Sequence, residues 1–114
     1  MAPANNVKVD SSLIAEITKQ IVDRFHPKRV VLFGSHARGD ASSDSDLDLM
    51  IEMETDLPPT SRVRAIDALF VDRNWPMDLV VFTPQEVRAN KNIRGTLLYN
   101  LEREGRVLYG NSDF

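Results

Sequence analysis

The segment from residue 30 to residue 53 constrains the fold most, because two strand-like apolar runs flank a short polar loop. Residues 30–33 read VVLF, a continuous apolar run of the kind that forms a buried strand. The chain then breaks at Gly34-Ser35 and resumes an apolar pattern from Asp46 onward. The loop between them is too short for the usual helical crossover that joins parallel strands. We therefore predict that the two strands are antiparallel neighbours.

The second of these strands has one apolar face and one face that opens with two carboxylates. Side chains alternate along a strand, so Asp46 and Asp48 share a face. The opposite face consists of Leu47, Leu49, Ile51 and Met53. Two aspartates about 7 Å apart repel each other unless a positive charge lies between them, and a hard divalent cation such as magnesium fits that place. Taken alone, such a pair is more often the solvent face of an amphipathic strand.

A third acidic residue, Asp78, lies at the start of the apolar run 77–82, which predicts another strand. Alone, it is most simply a surface residue at a strand end. If this strand lies beside the second one, however, Asp46, Asp48 and Asp78 converge on one side of the sheet. Two-metal sites for phosphoryl transfer need such a set, because they hold two ions roughly 4 Å apart around the attacking and leaving oxygens.

The rest of the chain predicts helices that cover the sheet. Capping residues at 10–12 open a first helix that ends near His26-Pro27, because the residue before a proline resists the helical conformation. A second helix starts at Pro58-Pro59, and residues 83–86 (TPQE) form a capping box with proline at the first helical position. The final helix is expected to carry Ile93, Leu97, Leu98 and Leu101, to end at Gly105 and to lead into a short strand at residues 107–109.

This order of elements predicts an α+β fold in a two-layer α/β arrangement, with a small mixed β-sheet covered by helices. The chain has 114 residues and no stretch with the composition of a linker. We therefore expect a single domain over residues 1–114, in which residues 1–9 form a loose lead-in.

The charge distribution restricts the classes of partner. The net charge of −3 argues against broad nucleic-acid binding, which needs a basic face. Seven acidic residues crowd one segment: Asp40, Asp44, Asp46, Asp48, Glu52, Glu54 and Asp56. That segment would accept phosphates only after a metal ion has bound, so we expect no direct nucleic-acid binding. The absence of cysteine excludes disulfides and thiolate metal sites. Since no apolar stretch has membrane-spanning length, we expect no membrane association and a cytoplasmic location.

The loop after the first strand offers groups that bind phosphate. Gly34 permits a tight turn and a close approach of phosphate, and the Ser35 hydroxyl can donate to phosphate oxygens, as can backbone N–H groups if a helical turn starts there. Arg38 adds a planar cation that suits phosphate, although a solvated loop arginine is an equally good explanation of it alone. His36 has no evident partner and is assigned no role. Trp75 fits core packing better than base stacking.

Together these residues resemble the nucleotidyltransferase superfamily related to DNA polymerase beta. Gly34-Ser35, ten intervening residues and Asp46-Leu47-Asp48 match its G-S-x10-D-x-D signature. The sequence of residues 33–39 (FGSHARG) and the ending at residues 103–109 (REGRVLY) resemble its minimal nucleotidyltransferase (MNT) branch. The resemblance implies the polymerase beta-like fold and the transfer of a nucleoside monophosphate, AMP from ATP or the corresponding group of another nucleotide triphosphate.

The resemblance also implies residue roles. Gly34 and Ser35 would hold the triphosphate, with Arg38 as a further contact. Asp46 and Asp48 would bind Mg²⁺, or Mn²⁺ in its place. Asp78 would complete the metal site and help to deprotonate the acceptor hydroxyl. Asp44 and Ser45 flank the site as loop residues, with no assigned role.

A protein partner is the last implication of the resemblance. The resemblance implies a pair of proteins similar to a toxin–antitoxin module, with a HEPN-domain ribonuclease as the toxin. In such a pair the MNT protein is the antitoxin and adds AMP to a tyrosine hydroxyl of the ribonuclease. The alternative is a binding module with an idle metal site that masks its partner sterically. A phosphohydrolase or glycosyltransferase D-x-D pair is disfavoured, because in those enzymes the pair generally follows a strand, whereas here it opens one.

Overall fold

The computed structural model describes residues 9–42 and 45–110, which form a four-stranded sheet with helices. The strands are β1 (Arg29–Phe33), β2 (Leu47–Glu52), β3 (Met77–Phe82) and β4 (Arg106–Gly110). The helices are α1 (Ser11–Phe25), α2 (Ser35–Arg38), α3 (Pro59–Asp67), α4 (Pro84–Asn90) and α5 (Leu97–Glu104), with a 3-10 turn at Ala68–Phe70 after α3.

The sheet is mixed, in the order β3-β2-β1-β4. The pairing of β1 with β2 is antiparallel, which confirms the prediction from the short loop between them. The last strand, β4, pairs with β1 in the antiparallel sense, and β3 lies parallel to β2 at the other edge. The parallel pair is possible because α3 returns the chain to the starting end of the sheet.

The predicted α+β fold with a mixed sheet is confirmed. Helices cover both faces of the sheet, so they form two layers and not the one layer of a two-layer arrangement. On one face, the apolar side of β2 packs in the larger core with α1 and α3. On the other face, Met50 and Val31 pack with Val87 of α4 and with Leu98 and Leu101 of α5. The alternation of β2 explains both contacts, since its even-numbered residues turn towards α4 and α5.

The ends of the first helix follow the predicted capping chemistry. Asp10 caps α1 by accepting a hydrogen bond from the Leu13 N–H at 2.9 Å. His26 ends the helix in a left-handed conformation with φ of 50°. Residues 1–8 of the predicted lead-in lie outside the described residues, and Val9 packs against the larger core.

The predicted final helix is wrong at its start, because Ile93 lies in the connection between α4 and α5. Gly95 has φ of +93° there, which interrupts the helical path. The next residue, Thr96, then caps α5 by accepting a hydrogen bond from the Tyr99 N–H at 3.1 Å. Ile93 is 51% exposed, whereas Leu98 and Leu101 are buried as expected. The capping box at Thr83 and Glu86 is present and opens α4.

In the part of the chain that the structure describes, no helix is long and apolar enough to cross a membrane.

Candidate active site

The parallel pair β2–β3 places two of the predicted carboxylates side by side. Asp48 is in register with Asp78, and paired residues of adjacent strands point to the same face of a sheet. Asp46 lies just before β2, two residues from Asp48. Asp46 and Asp78 are exposed, and Asp48 is half-buried between its neighbours. The structure therefore brings together the three acids that the sequence singled out.

The charges of Asp46 and Asp78 affect the ionisation of Asp48. The pKa of the Asp48 carboxyl lies above its ordinary value because of burial first, and then because of the negative charges of Asp78 and Asp46. The positive charges of His36 and Arg38 oppose this rise. Asp48 thus lies at the centre of an acidic group bordered by the cations of α2.

Gly34 sets the distance between the Gly34-Ser35 turn and the acids. It has φ of +74°, a conformation that favours glycine. A Cβ atom at this position would overlap Asp48 Oδ2 and would lie 3.1 Å from Asp48 Cγ. Only a residue without a side chain allows the backbone of the Gly34-Ser35 turn to lie directly against Asp48.

The turn continues into the single-turn helix α2, which begins at Ser35. The N–H groups of Ala37 and Arg38 both donate to the Gly34 carbonyl at 3.1 Å. The Arg38 side chain is half-exposed, and its Nε donates to Asp40 Oδ2 at 3.3 Å. The predicted helical turn after Gly34 is present, and it places Ser35 and Arg38 on the strand end next to the acids.

His36 has a contact that the sequence did not indicate. Its Nε2 lies 3.4 Å from the carbonyl oxygen of Ser45, which links α2 to the segment that leads into Asp46. The Ser45 hydroxyl in turn accepts a hydrogen bond from the Ser42 N–H at 2.8 Å. The only sequence signal for this contact was the position of His36 within the loop. Asp44, the other flanking residue, lies outside the described residues.

Trp75 belongs to the core, as its sequence context favoured. Its ring meets Phe70 edge-on, with centroids 6.4 Å apart and planes at 64°. The indole packs against the larger core, and its Nε1 is buried with no hydrogen-bond partner among the described residues. The packing of Trp75 against the core agrees with the interpretation of its sequence context.

The chemistry of the three acids suits a divalent cation. Three carboxylates supply the oxygen ligands that Mg²⁺ and Mn²⁺ take, and burial together with the charges of Asp78 and Asp46 raises the pKa of Asp48, an effect that a bound cation would oppose. Within residues 9–42 and 45–110, no three acidic, histidine or cysteine side chains already stand in the close arrangement of a metal site. The residue types fit the ion, whereas the side chains of the described residues do not adopt the geometry of a complete coordination site.

A family model described as a nucleotidyltransferase domain matches residues 13–105, which include all of these acids. Because the match covers most of the chain, the chain belongs to the nucleotidyltransferase domain family. The resemblance to the MNT branch of that superfamily is thereby confirmed, as is the prediction of an enzyme of the nucleotidyltransferase class.

Similar proteins carry more specific names. A relative from Methanocaldococcus jannaschii, named "Putative protein adenylyltransferase MJ0604", is 33% identical over 82 residues, which make up 72% of this chain and 78% of the relative. Protein adenylyltransferase MntA from Thermococcus cleftensis is 35% identical over 54 residues, or 47% of this chain and 54% of that protein. A crystal structure described as a toxin-antitoxin with AMP-PNP has a TM-score of 0.59 at 22% identity and covers 85% of this chain and 73% of that one. This structural likeness confirms the fold.

Proposed function

We propose that this protein is a metal-dependent protein adenylyltransferase, which moves AMP from ATP onto a hydroxyl group of a partner protein. The observation that carries the proposal is the register of Asp48 with Asp78, beside a glycine that can bear no side chain. Acids from two strands thereby adjoin a turn that can bind phosphate. Two sequence relatives are named protein adenylyltransferases, which supports AMP as the group and protein as the acceptor.

Asp46, Asp48 and Asp78 would hold the divalent cations. Bound there, Mg²⁺ or Mn²⁺ would neutralise the carboxylates and withdraw charge from the phosphate oxygens. The Ser35 hydroxyl and the N–H groups of the turn donate to phosphate oxygens, and the Arg38 guanidinium adds positive charge. These contacts bind the triphosphate with its α-phosphorus towards the acids.

In the reaction, the acceptor oxygen forms a bond to the α-phosphorus while the bond from that phosphorus to pyrophosphate breaks. Asp78 is exposed at the start of β3, where an incoming hydroxyl can reach it, so it accepts the hydroxyl proton. Donors of the Gly34-Ser35 turn stabilise the charge on the departing pyrophosphate. Asp48 is half-buried, so we assign it the binding of the cation rather than the transfer of the hydroxyl proton.

The partner is proposed to be a HEPN-domain ribonuclease, with this protein as its antitoxin. Support comes from the MNT sequence pattern and from the solved toxin-antitoxin that shares the fold. The presence of AMP-PNP in the description of that structure is consistent with ATP as the donor substrate.

Mass spectrometry of the partner tests this proposal. The chain is co-expressed with the protein encoded beside its gene, and the partner is weighed intact. We expect the partner to gain the mass of one or more AMP groups, and to gain none when it is co-expressed with the Asp48→Asn variant. A partner that is neutralised equally well by both proteins without any gain in mass would overturn the transferase and favour steric masking.

A further inference from the structure

The face of the sheet that carries Asp48 holds a buried cluster of charges at its other end. Arg29 on β1 lies directly opposite Glu52 on β2, and its Nε donates to Glu52 Oε1 at 2.8 Å. Its two terminal nitrogens donate to the two oxygens of Glu102 on α5, at 2.7 and 3.0 Å. The three side chains are each 4% exposed. This cluster forms the floor of a cleft where α4 and α5 meet the sheet.

Positive charge is in excess around this cleft, which has a volume of about 220 Å³. Lys28 lies on one side, with its Nζ 3.7 Å from Glu52 Oε2. Arg88 and Lys91, at and just after the end of α4, lie on the other side. Within the described ranges 9–42 and 45–110, neither of these two residues forms an ion pair. Four cationic side chains and two carboxylates line the cleft, so it can accept further negative charge.

The cleft and the carboxylate site lie on the same face, separated along β2. Asp48 and Glu52 are four residues apart and point the same way, which places them about 13 Å apart at 3.3 Å per residue. A protein that presents a hydroxyl group at Asp78 is large enough to span this distance and reach the cleft as well. The cleft is well placed to contact the acceptor at a second point, away from the reacting group.

We propose that this basic cleft, defined by Lys28, Arg88 and Lys91 above the Arg29 cluster, binds an acidic side chain of the acceptor protein. The identity of the acceptor as a protein rests on the proposed function, whereas the cleft and its charge do not. A carboxylate fits the unpaired cations and would help to orient the acceptor. An extended nucleic acid is disfavoured, because its phosphates would continue over the acidic group at Asp46, Asp48 and Asp78.

A peptide titration tests the cleft without any need for the natural acceptor. The probe is a decapeptide of alternating glutamate and serine, and its control is the same peptide with glutamine in place of glutamate. Backbone amide spectra of ¹⁵N-labelled protein are recorded at about 50 mM salt, so that screening does not hide the interaction. We expect the acidic peptide to shift the amides of Lys28, Arg88 and Lys91, and the neutral peptide to shift none of them.

Charge-reversal variants make the test specific. The double variant Arg88→Glu/Lys91→Glu should weaken peptide binding at least ~10-fold. The matched control, Arg24→Glu/Arg64→Glu, alters two exposed arginines on α1 and α3, which pack on the other face, and should leave Kd within about twofold. A neutral double variant, Arg88→Gln/Lys91→Gln, repeats the measurement if the reversed variant folds poorly. Unchanged binding in the neutral or reversed variant, or shifts centred elsewhere, would overturn the proposal.

Two further measurements separate the alternatives. A single-stranded oligouridine that binds the cleft more tightly than the acidic peptide would overturn the assignment to a protein acceptor. Binding of AMP-PNP with Mg²⁺, followed at the Gly34 and Ser35 amides, should be unchanged in Arg88→Glu/Lys91→Glu. If the peptide binds the cleft but AMP transfer is never detected, the cleft stands and the proposed function fails. If AMP transfer occurs and the peptide does not bind, the proposed function stands and the proposal for the cleft fails.

Discussion

At the scale of single residues, the site depends on the contact between Gly34 and Asp48. The positive φ of Gly34 and its proximity to the Asp48 carboxylate are separate constraints, and both exclude a side chain. Asp48 in turn carries unfavourable charge, because it is partly buried beside two other acids. A residue pair that reduces folding stability in this way is common at functional sites.

Comparing alanine substitutions at Gly34 and Gly95 separates the effect of positive φ from the effect of the overlap with Asp48. The variant Gly34→Ala should lose about 1–2 kcal/mol of stability from the positive φ and more from the overlap with Asp48. Because the turn must shift away from the acids, AMP transfer should fall by roughly 10²-fold. Gly95→Ala is the matched control: it also has positive φ, but no atom lies within 4 Å of its added Cβ. Equal activity in the two variants would contradict the role of Gly34.

Replacing Asp48 by asparagine tests the pKa shift that burial and the two neighbouring acids cause, through the pH dependence of stability. The raised pKa means that the folded state holds the proton more readily than the unfolded chain, so stability falls as pH rises from the ordinary value of 3.8 through the folded-state pKa. Asp48→Asn cannot ionise, so its Tm should exceed that of the parent near neutral pH and match it at about pH 3. Thermal unfolding at both pH values measures this.

The same variant should also lose activity, by roughly 10²-fold or more, because the change weakens a proposed ligand to the cation. Glu16→Gln, at an exposed position on α1, which packs on the other face of the sheet, controls for the change in net charge and should alter neither Tm nor transfer. A lower Tm for Asp48→Asn than for the parent near neutral pH would contradict a raised pKa of Asp48 in the folded protein.

At the scale of elements, the buried ion cluster joins β1, β2 and α5. Arg29 donates hydrogen bonds to Glu52 and Glu102, which are 23 and 73 residues away along the chain. The contact with Glu102 holds α5 against the face of the sheet that carries the site. A second buried arginine, Arg62 of α3, similarly donates to Glu86 of α4 at 2.8 Å and to the Val81 carbonyl at 3.2 Å. Helix positions on the sheet are thus set by charged as well as apolar contacts.

Removal of the Arg29 guanidinium should be among the more damaging single changes. Arg29→Met leaves Glu52 and Glu102 buried without their shared partner, which should cost about 3–5 kcal/mol. Chemical denaturation measures the loss. Lys19→Met is the control, because it breaks an exposed pair with Asp23 and should cost less than ~0.5 kcal/mol. Similar losses in the two variants would mean that burial of the Arg29 cluster contributes nothing.

Local patterns predicted most of the elements, and the failures come from one local backbone conformation and from long-range contacts. Apolar alternation located β2 and β3, and the short loop after Phe33 predicted that β1 and β2 are antiparallel neighbours. Ile93 was misplaced because it keeps helical spacing with Leu97, while the positive φ of Gly95 breaks the helix between them. The sequence shows no periodic pattern that indicates the contact between Arg29 and Glu102. The same is true of the packing of α4 and α5 on the second face of the sheet.

At the scale of the whole molecule, the sheet order assembles the site. Asp48 and Asp78 are 30 residues apart in sequence, and they meet only because β3 returns parallel to β2. The G-S and D-x-D motifs could be read directly, whereas this meeting had to be inferred from strand adjacency. The register of β2 and β3 supports that inference, and the roles of the acids stay a prediction until a cation is observed on them.

Paramagnetic broadening by Mn²⁺ tests this central claim most directly. Amide spectra of the protein are recorded with AMP-PNP while Mn²⁺ is added at a small fraction of the protein concentration. We expect the first amides to broaden to be those of Gly34, Ser35, Asp48 and Asp78, and the effect to be lost in Asp48→Asn. Broadening centred instead on the acidic residues Glu54 and Asp56, or unchanged in that variant, would contradict the account.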